Sequence, residues 1–341
     1  MSGDRQPVGD AGLVARCRVV LEAAWDAGRG YCFPHAAVYP NQWLWDSAFH
    51  AVAWAAVGDT RGAIELGGIF AAQLEDGFVP HMRYAGDEMY RGPLAGSSSY
   101  TQPPLYAHAA RSLESRGVAV DPAVVAAAGR GLDYLWEHRR GDDGLVFIVH
   151  PWEAGSDDSP RWDSWVGTSA WSREEWTAFD LRLVPATSWS DAGAAVWSHD
   201  FVVAPAGFNA LVAHALAEHA AMTGDTRHAV RSRELATAID RLLWGPATNL
   251  WIDRPIVGGG PSCAVPTLDG VLPALVTADP EKAARALDQL WDESRFSAPF
   301  GPTFVWRRHP AYRSDGYWRG AVWPQLAYLT WLAAHRWGRM D

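Results

Sequence analysis

Lysine is almost absent from this chain: Lys282 is the sole one, and arginine carries the rest of the side-chain positive charge. Alanine and glycine are abundant alongside it. That combination reads as codon bias from a GC-rich genome, so the arginine count by itself says little about phosphate or carboxylate ligands. No block of basic residues occurs, and the formal net charge is −10, which argues against nucleic acid and anionic membrane as partners. Cysteine is scarce too. Cys17, Cys32 and Cys263 are odd in number and form no Cys-x-x-Cys, which argues against a disulfide framework and an all-cysteine zinc site. No apolar run approaches the ~20 residues needed to cross a bilayer. The start, Met1-Ser2-Gly3-Asp4-Arg5, lacks the charged-then-apolar pattern of a signal peptide. These absences lead to the expectation of a soluble, cytoplasmic protein that uses no cofactor and no metal.

Tryptophan is the residue in excess, with 20 in 341 positions. A buried indole N–H wants a partner, so a core alone does not call for so many. Indole suits the C–H face of a sugar, its N–H reaching a hydroxyl; a tryptophan-heavy core is the plainer account. Hydrophobic residues make up 48%, enough for one large domain or two ordinary ones.

Apolar spacing of three and four predicts about ten helices: 10–27, 43–57, 60–74, 104–116, 121–139, 205–223, a following one to 243, 268–277, one opening at Asp279-Pro280, and 323–337. The clearest is 205–223, with Phe208, Leu211, Val212, Ala215, Leu216 and His219 on one face. Helices in antiparallel-style pairs, without a 34- or 40-residue repeat, fit a toroid of helical hairpins rather than a solenoid. Four connections are long: 76–102, 140–203, 244–266 and 293–322. Loops beyond ~12–15 residues are uncommon unless functional or disordered. These hold Trp, Tyr, His and Asp in place of disorder-promoting residues, with short strands expected at 145–150 and 250–253. A site on the connections of a helical scaffold is the natural reading.

Three constellations stand out. Tyr39-Pro40-Asn41-Gln42-Trp43-Leu44-Trp45-Asp46-Ser47 places a carboxylate among aromatic rings at a helix start; Asp46 is either a first-turn acid or an acceptor for sugar hydroxyls. His150 to Asp163 crowds acids around Trp152 and Trp162. Burial and a neighbouring carboxylate raise the pKa of an acid, which a proton donor to a glycosidic oxygen requires. Asp157 and Asp158 are adjacent, so only one is expected to face the site. Tyr317-Trp318-Arg319-Gly320-Ala321-Val322-Trp323-Pro324 leads into the last helix, and Arg319 could hold a buried acid ionised. His81 and Gln102 are plausible hydroxyl binders, more often structural when alone. The twelve histidines are scattered, and no metal cluster emerges.

Trp43-Leu44-Trp45-Asp46-Ser47, Thr101-Gln102-Pro103-Pro104, the segment Trp152 to Asp163, Phe208-Asn209-Ala210-Leu211 and Tyr317-Trp318-Arg319-Gly320 together resemble glycoside hydrolase family 63. They look closest to the bacterial mannosylglycerate and glucosylglycerate hydrolases. The resemblance implies an (α/α)6 barrel and inverting α-glycoside hydrolysis by two carboxyl groups roughly 6.5–9.5 Å apart. By its place in Gly-x-Asp, Asp157 matches the general acid. Tyr39, Trp43, Trp45, Asp46, Trp152, Tyr317, Trp318 and Trp323 match positions lining the sugar pocket, with His81 and Gln102 nearby. The resemblance places the general base, a glutamate, on a loop after the next helix, whereas this chain reaches Asp341 at the end of that helix.

The expectation is therefore a single (α/α)6-type domain over 1–341, lacking its last hairpin and its base, with a long loop insert at 140–203. An exposed apolar edge would favour self-association. Glu153 lies too near the acid in sequence for opposite-face chemistry, and Glu174, Glu175 and Asp180 stay open as candidates. The expected partner is a small glycoside. For a glycerate carboxylate the loops offer Arg83, Arg91, Arg161 and Arg182, of which Arg182 is chosen for its place after the acid. Two alternatives stand beside hydrolysis: a non-catalytic sugar-binding protein, and a sugar epimerase or isomerase, which would want paired histidine bases.

Overall fold

Asp121, Asp225 and Asp279 each accept a backbone N–H one turn ahead, and proline follows directly at Pro122 and Pro280. These caps satisfy the orphan donors of a helix start, where proline's missing N–H costs nothing. The computed structural model describes residues 10–35, 37–86, 92–167, 171–257 and 263–339. Arg91 and the first residues of the chain lie outside them. Among the described residues eleven helices form: α1 Asp10–Ala24, α2 Leu44–Ala56, α3 Arg61–Ile69, α4 Tyr106–Glu114, α5 Pro122–His138, α6 Asp163–Val166, α7 Arg173–Leu183, α8 Ala206–Thr223, α9 Thr226–Leu242, α10 Pro280–Leu287 and α11 Pro324–Arg336. Strands among the described residues amount to five two-stranded antiparallel ribbons.

The core centres on α8, which buries Phe208, Leu211, Val212 and Leu216. It packs on α9, α4 and α5 and on the turns at Leu272–Leu275. Gly224, at φ 75°, ends α8 in the left-handed region and lets the chain reverse into α9. The pair α2 and α3 packs likewise, with α4 against both. Helices thus pack in successive hairpins, and the long connections gather the polar and aromatic residues.

Two regions depart from the sequence expectation. The stretch 268–277 is two short 3-10 turns, Leu268–Gly270 and Leu272–Leu275. Pro273 lacks the N–H an α-helix would need there. Conversely, 140–203 is no loop insert: it holds α6, α7 and a ribbon of Thr187–Trp189 with Ala195–Ser198. The start of α7 was readable. Ser172 caps Glu175 N–H at 3.2 Å, the Ser-x-x-Glu spacing of a helix start. The strand expected over 145–150 is reduced to single bridges, Arg140 to Val146 and Ile148 to Val203. Leu250–Trp251 does form, paired with Trp244–Gly245.

An apolar edge is exposed where α11 runs: Trp291, Phe300 and Trp331 all lie open there. No helix among the described residues is long and apolar enough to cross a membrane.

Asn209 ties the scaffold to the site-bearing connection. Its amide accepts Val146 N–H at 2.7 Å and donates to the carbonyls of Val146 at 2.7 Å and Pro205 at 2.8 Å, all buried. Asn209→Ala strands these groups. It should lower unfolding free energy by roughly 3 kcal/mol in a urea titration, since each buried unsatisfied group costs about 1–3 kcal/mol.

Candidate active site

Three arginine–carboxylate pairs fix the segment that carries the acids. Arg139 meets both oxygens of Glu153 at 2.9 and 2.6 Å, and neither residue touches solvent. Glu153 also accepts the N–H groups of Thr101 and Val149. Arg161 donates to Asp253 at 2.6 Å. Arg319 grips Asp163 bidentately at 2.8 and 2.5 Å. Glu153 is therefore wholly engaged as an anchor, and Asp253, isolated in sequence, is the partner of Arg161. Arg319 does hold a carboxylate, that of Asp163.

Within this frame Gly155 takes φ 72°, and a Cβ there would come within 2.7 Å of the Trp45 ring. The glycine of Gly-x-Asp thus lets the acid loop close on the aromatic wall. Asp157 lines two adjoining cavities, whereas Asp158 turns to accept the Trp171 indole N–H at 2.9 Å. One cavity, about 270 Å³, is aromatic: Tyr39, Trp43, Trp45, Tyr317, Trp318 and Trp323 surround Asp46. The other, about 470 Å³, is more polar and includes His81, Trp152, Arg173, Thr177 and Asp180. Tyr39, Trp43, Gln102 and Asp157 belong to both.

The aromatic cavity is lined mainly by ring faces. Trp318 stacks on Trp323 at 4.0 Å, and the indole N–H groups of Trp43, Trp318 and Trp323 are buried and meet no acceptor among the described residues. Trp318 sits at φ 52°, a left-handed conformation uncommon for a bulky residue. Gln102 accepts the Trp45 N–H at 3.4 Å, tying the 101–104 turn to the start of α2. Asp46 lies in the first turn of that helix.

The electrostatics divide the carboxyl groups. Burial, then the charges of Asp158, Asp180 and Asp46, push the Asp157 carboxyl well above the usual carboxylate range. Burial also lifts Asp46 to about 6, although the nearby His50 opposes it. Burial depresses His81 to about 4, so its ring is neutral at pH 7 and donates Nδ1–H to the Tyr100 carbonyl at 3.3 Å. Its Nε2 is then an acceptor. Burial raises the Tyr317 phenol, as does the charge of Asp157, keeping it a hydrogen-bond donor.

Of the residues expected to carry the acid or bind the substrate, the structure brings all but one to the two cavities that Asp157 lines. The exception is Arg182. It is exposed, stacks near Phe179 and donates to the Trp165 carbonyl at 3.0 Å. Arg173 is the arginine of the polar cavity. Nine residues apart, the two point to opposite sides of α7. Arg173, Thr177 and Asp180 share a face at i, i+4 and i+7, a spacing already present in the sequence, whereas Glu174 and Glu175 line neither cavity. Pro34, His35 and Gln325 also line the aromatic cavity, and no sequence signal marked them.

Histidines pair, contrary to their scattered look, as His108 with His214 and His219 with His228, outside both cavities. Among the described residues one trio, Cys32, His50 and Glu65, has ligand atoms close enough for a metal. Its Glu65 carboxylate is already taken by His50 at 2.7 Å and the Trp54 indole at 3.2 Å.

Comparison with known proteins gives this geometry a context. The chain is 28% identical to a mannosylglycerate hydrolase of Rubrobacter radiotolerans over 96% of its own length and 86% of the relative's. A glucosylglycerate hydrolase of Mycolicibacterium hassiacum is 32% identical over 37% of this chain and 35% of that one. The crystal structure of a family 63 mannosylglycerate hydrolase from Thermus thermophilus superposes with a TM-score of 0.79 at 23% identity, covering 96% of this chain and 88% of the other. That likeness shows the fold, the α/α toroid of family 63. Residues 39–341 match the model of the mannosylglycerate hydrolase MGH1-like glycoside hydrolase domain, and the chain belongs to that family of glycoside hydrolases.

Proposed function

We propose that the chain hydrolyses a small α-glycoside of an organic acid, of the glucosylglycerate or mannosylglycerate kind, with inversion and with Asp157 as general acid. The observation that carries this is the position of Asp157 at the junction of the two cavities, its carboxyl pushed well above the usual carboxylate range by burial and neighbouring acids. The sugar occupies the aromatic cavity. Indole faces stack on its C–H groups, and Asp46 accepts from its hydroxyls. The acid aglycone lies in the polar cavity, where Arg173 meets its carboxylate. Asp157 gives its proton to the glycosidic oxygen as the bond to C1 breaks, and water adds to C1 from the opposite face and releases a proton to solvent. The names of the relatives support the substrate class.

The carboxylates lining the cavities, among the described residues, are Asp46, Asp157 and Asp180. Asp180 accepts the Trp152 indole N–H at 3.2 Å. None of them corresponds to the glutamate that the family resemblance assigns to water activation. This favours a second reading, sugar binding without turnover. Incubation with each glycoside separates the two. Free hexose, its β-anomer first in the NMR spectrum, is expected; the α-anomer first would overturn inversion, and no hexose would overturn hydrolysis.

Asp157→Asn should lower kcat by about 10³-fold or more, with glycoside binding retained in tryptophan fluorescence. In the wild type, kcat should fall as pH rises through the raised Asp157 pKa. The same shift acts on stability. The folded state keeps a proton that the unfolded chain releases near 3.8, so stability declines as pH rises above that value. Asp157→Asn should therefore raise Tm at pH 7, with the gain vanishing below about pH 3.8. Arg173→Ala should raise KM about tenfold for a carboxylate-bearing aglycone and little for a neutral one. Arg182→Ala should leave both within twofold.

A further inference from the structure

Arg161 is almost fully buried and spends its nitrogens on the acid loop and its supports. Nε donates to Ser159 Oγ at 3.0 Å, Nη2 to Ser156 Oγ at 2.5 Å and Nη1 to Asp253 Oδ2 at 2.6 Å. Ser156 and Ser159 bracket Asp157 and Asp158. Asp253 passes the restraint to α8 by accepting Ala206 N–H at 2.8 Å. One carboxylate would neutralise the guanidinium, yet a second, Asp269, lies 3.0 Å from Nη2. Burying another charge is costly, and burial lifts the Asp269 carboxyl to about 6. Room for it depends on Gly207, where a Cβ would come within 2.6 Å of Asp269 Oδ1. The second acid therefore calls for a role beyond pairing.

We propose that Asp253 and Asp269 form a charge screen behind the general acid, letting Arg161 clamp the two serines by hydrogen bonds without its positive charge reaching Asp157. This rests on the reading of Asp157 as the acid. The groups facing Asp157 are Asp158 beside it, Asp46 from α2, Asp180 and Arg173 from α7, and Tyr317; Cys263 faces Arg161 and Asp253. Among the former, Arg173 is the cation, and it favours the ionised acid. Unscreening Arg161 adds a second such cation in a buried setting, where a charge acts strongly. Asp253 and Asp269 are thus positioning residues: they touch Arg161, not the substrate.

The test is the pH profile of three variants. Asp269→Asn keeps shape and removes one charge. Its alkaline limb of kcat should move down by about one pH unit, with KM within twofold. Asp253→Asn serves as a second variant with the same expected shift should the first not fold. Ser156→Ala loosens the clamp and leaves the screen, so kcat should drop about tenfold at every pH with the limb in place. An unmoved limb in a folded Asp269→Asn or Asp253→Asn, with Asp157→Asn inactive, overturns the screen. Full activity in Asp157→Asn would instead overturn the acid assignment on which the screen rests.

Discussion

The guanidinium of Arg139 and the carboxylate of Glu153 meet without a trace of solvent, and the two N–H groups that Glu153 also accepts come from Thr101 and Val149, far apart in sequence. Together with Arg161 and Arg319, this pair decides where the chain between 150 and 163 can run. Such pairs are poor sources of net stability, because desolvation consumes much of the attraction, but breaking one is severe. Their value lies in geometry. A loop with an acid at its tip has many conformations, and bidentate grips at 153 and 163 with a single bond from Arg161 to Asp253 leave few. The arginines that composition attributes to codon bias therefore include three that the fold cannot spare.

The same segment accounts for the raised pKa of the Asp157 carboxyl. Each anchoring carboxylate is paid in kind by an arginine, whereas Asp157 faces other carboxylates and aromatic rings. The wall opposite is a set of indoles held in demanding positions. Trp318 accepts a left-handed backbone, and the 313–320 turn is wound so tightly that a Cβ at Gly320 would collide with the Arg313 carbonyl. Strain of this kind persists where the surroundings over-determine it.

Much of this was legible in the sequence because it depends on local chemistry. Helices with capping acids, apolar spacing and terminal prolines were visible, as were the tryptophan–acid clusters. Pro273 was equally visible as a break in 268–277, and Ser172-x-x-Glu175 as a start, but apolar density and loop length outweighed those signals. Arg173 and Arg182 could not be told apart without knowing that 173–183 is a helix; once it is, their separation settles which faces the cavity. The pairing of Arg161 with Asp253 and Asp269 was beyond reach, since contacts ninety or more residues apart leave no periodicity.

Among the described residues the two cavities share only Tyr39, Trp43, Gln102 and Asp157, and are otherwise built from different pieces of chain. The aromatic one is a joint product of α2, the acid loop and the turn before α11, all locked by buried pairs and stacked rings. The polar one takes Arg173, Thr177 and Asp180 from successive turns of a single helix that follows the acid segment. What the polar chamber presents to a ligand thus depends in large part on three side chains of one helix, whereas the ring-lined half is assembled from pieces distant in sequence.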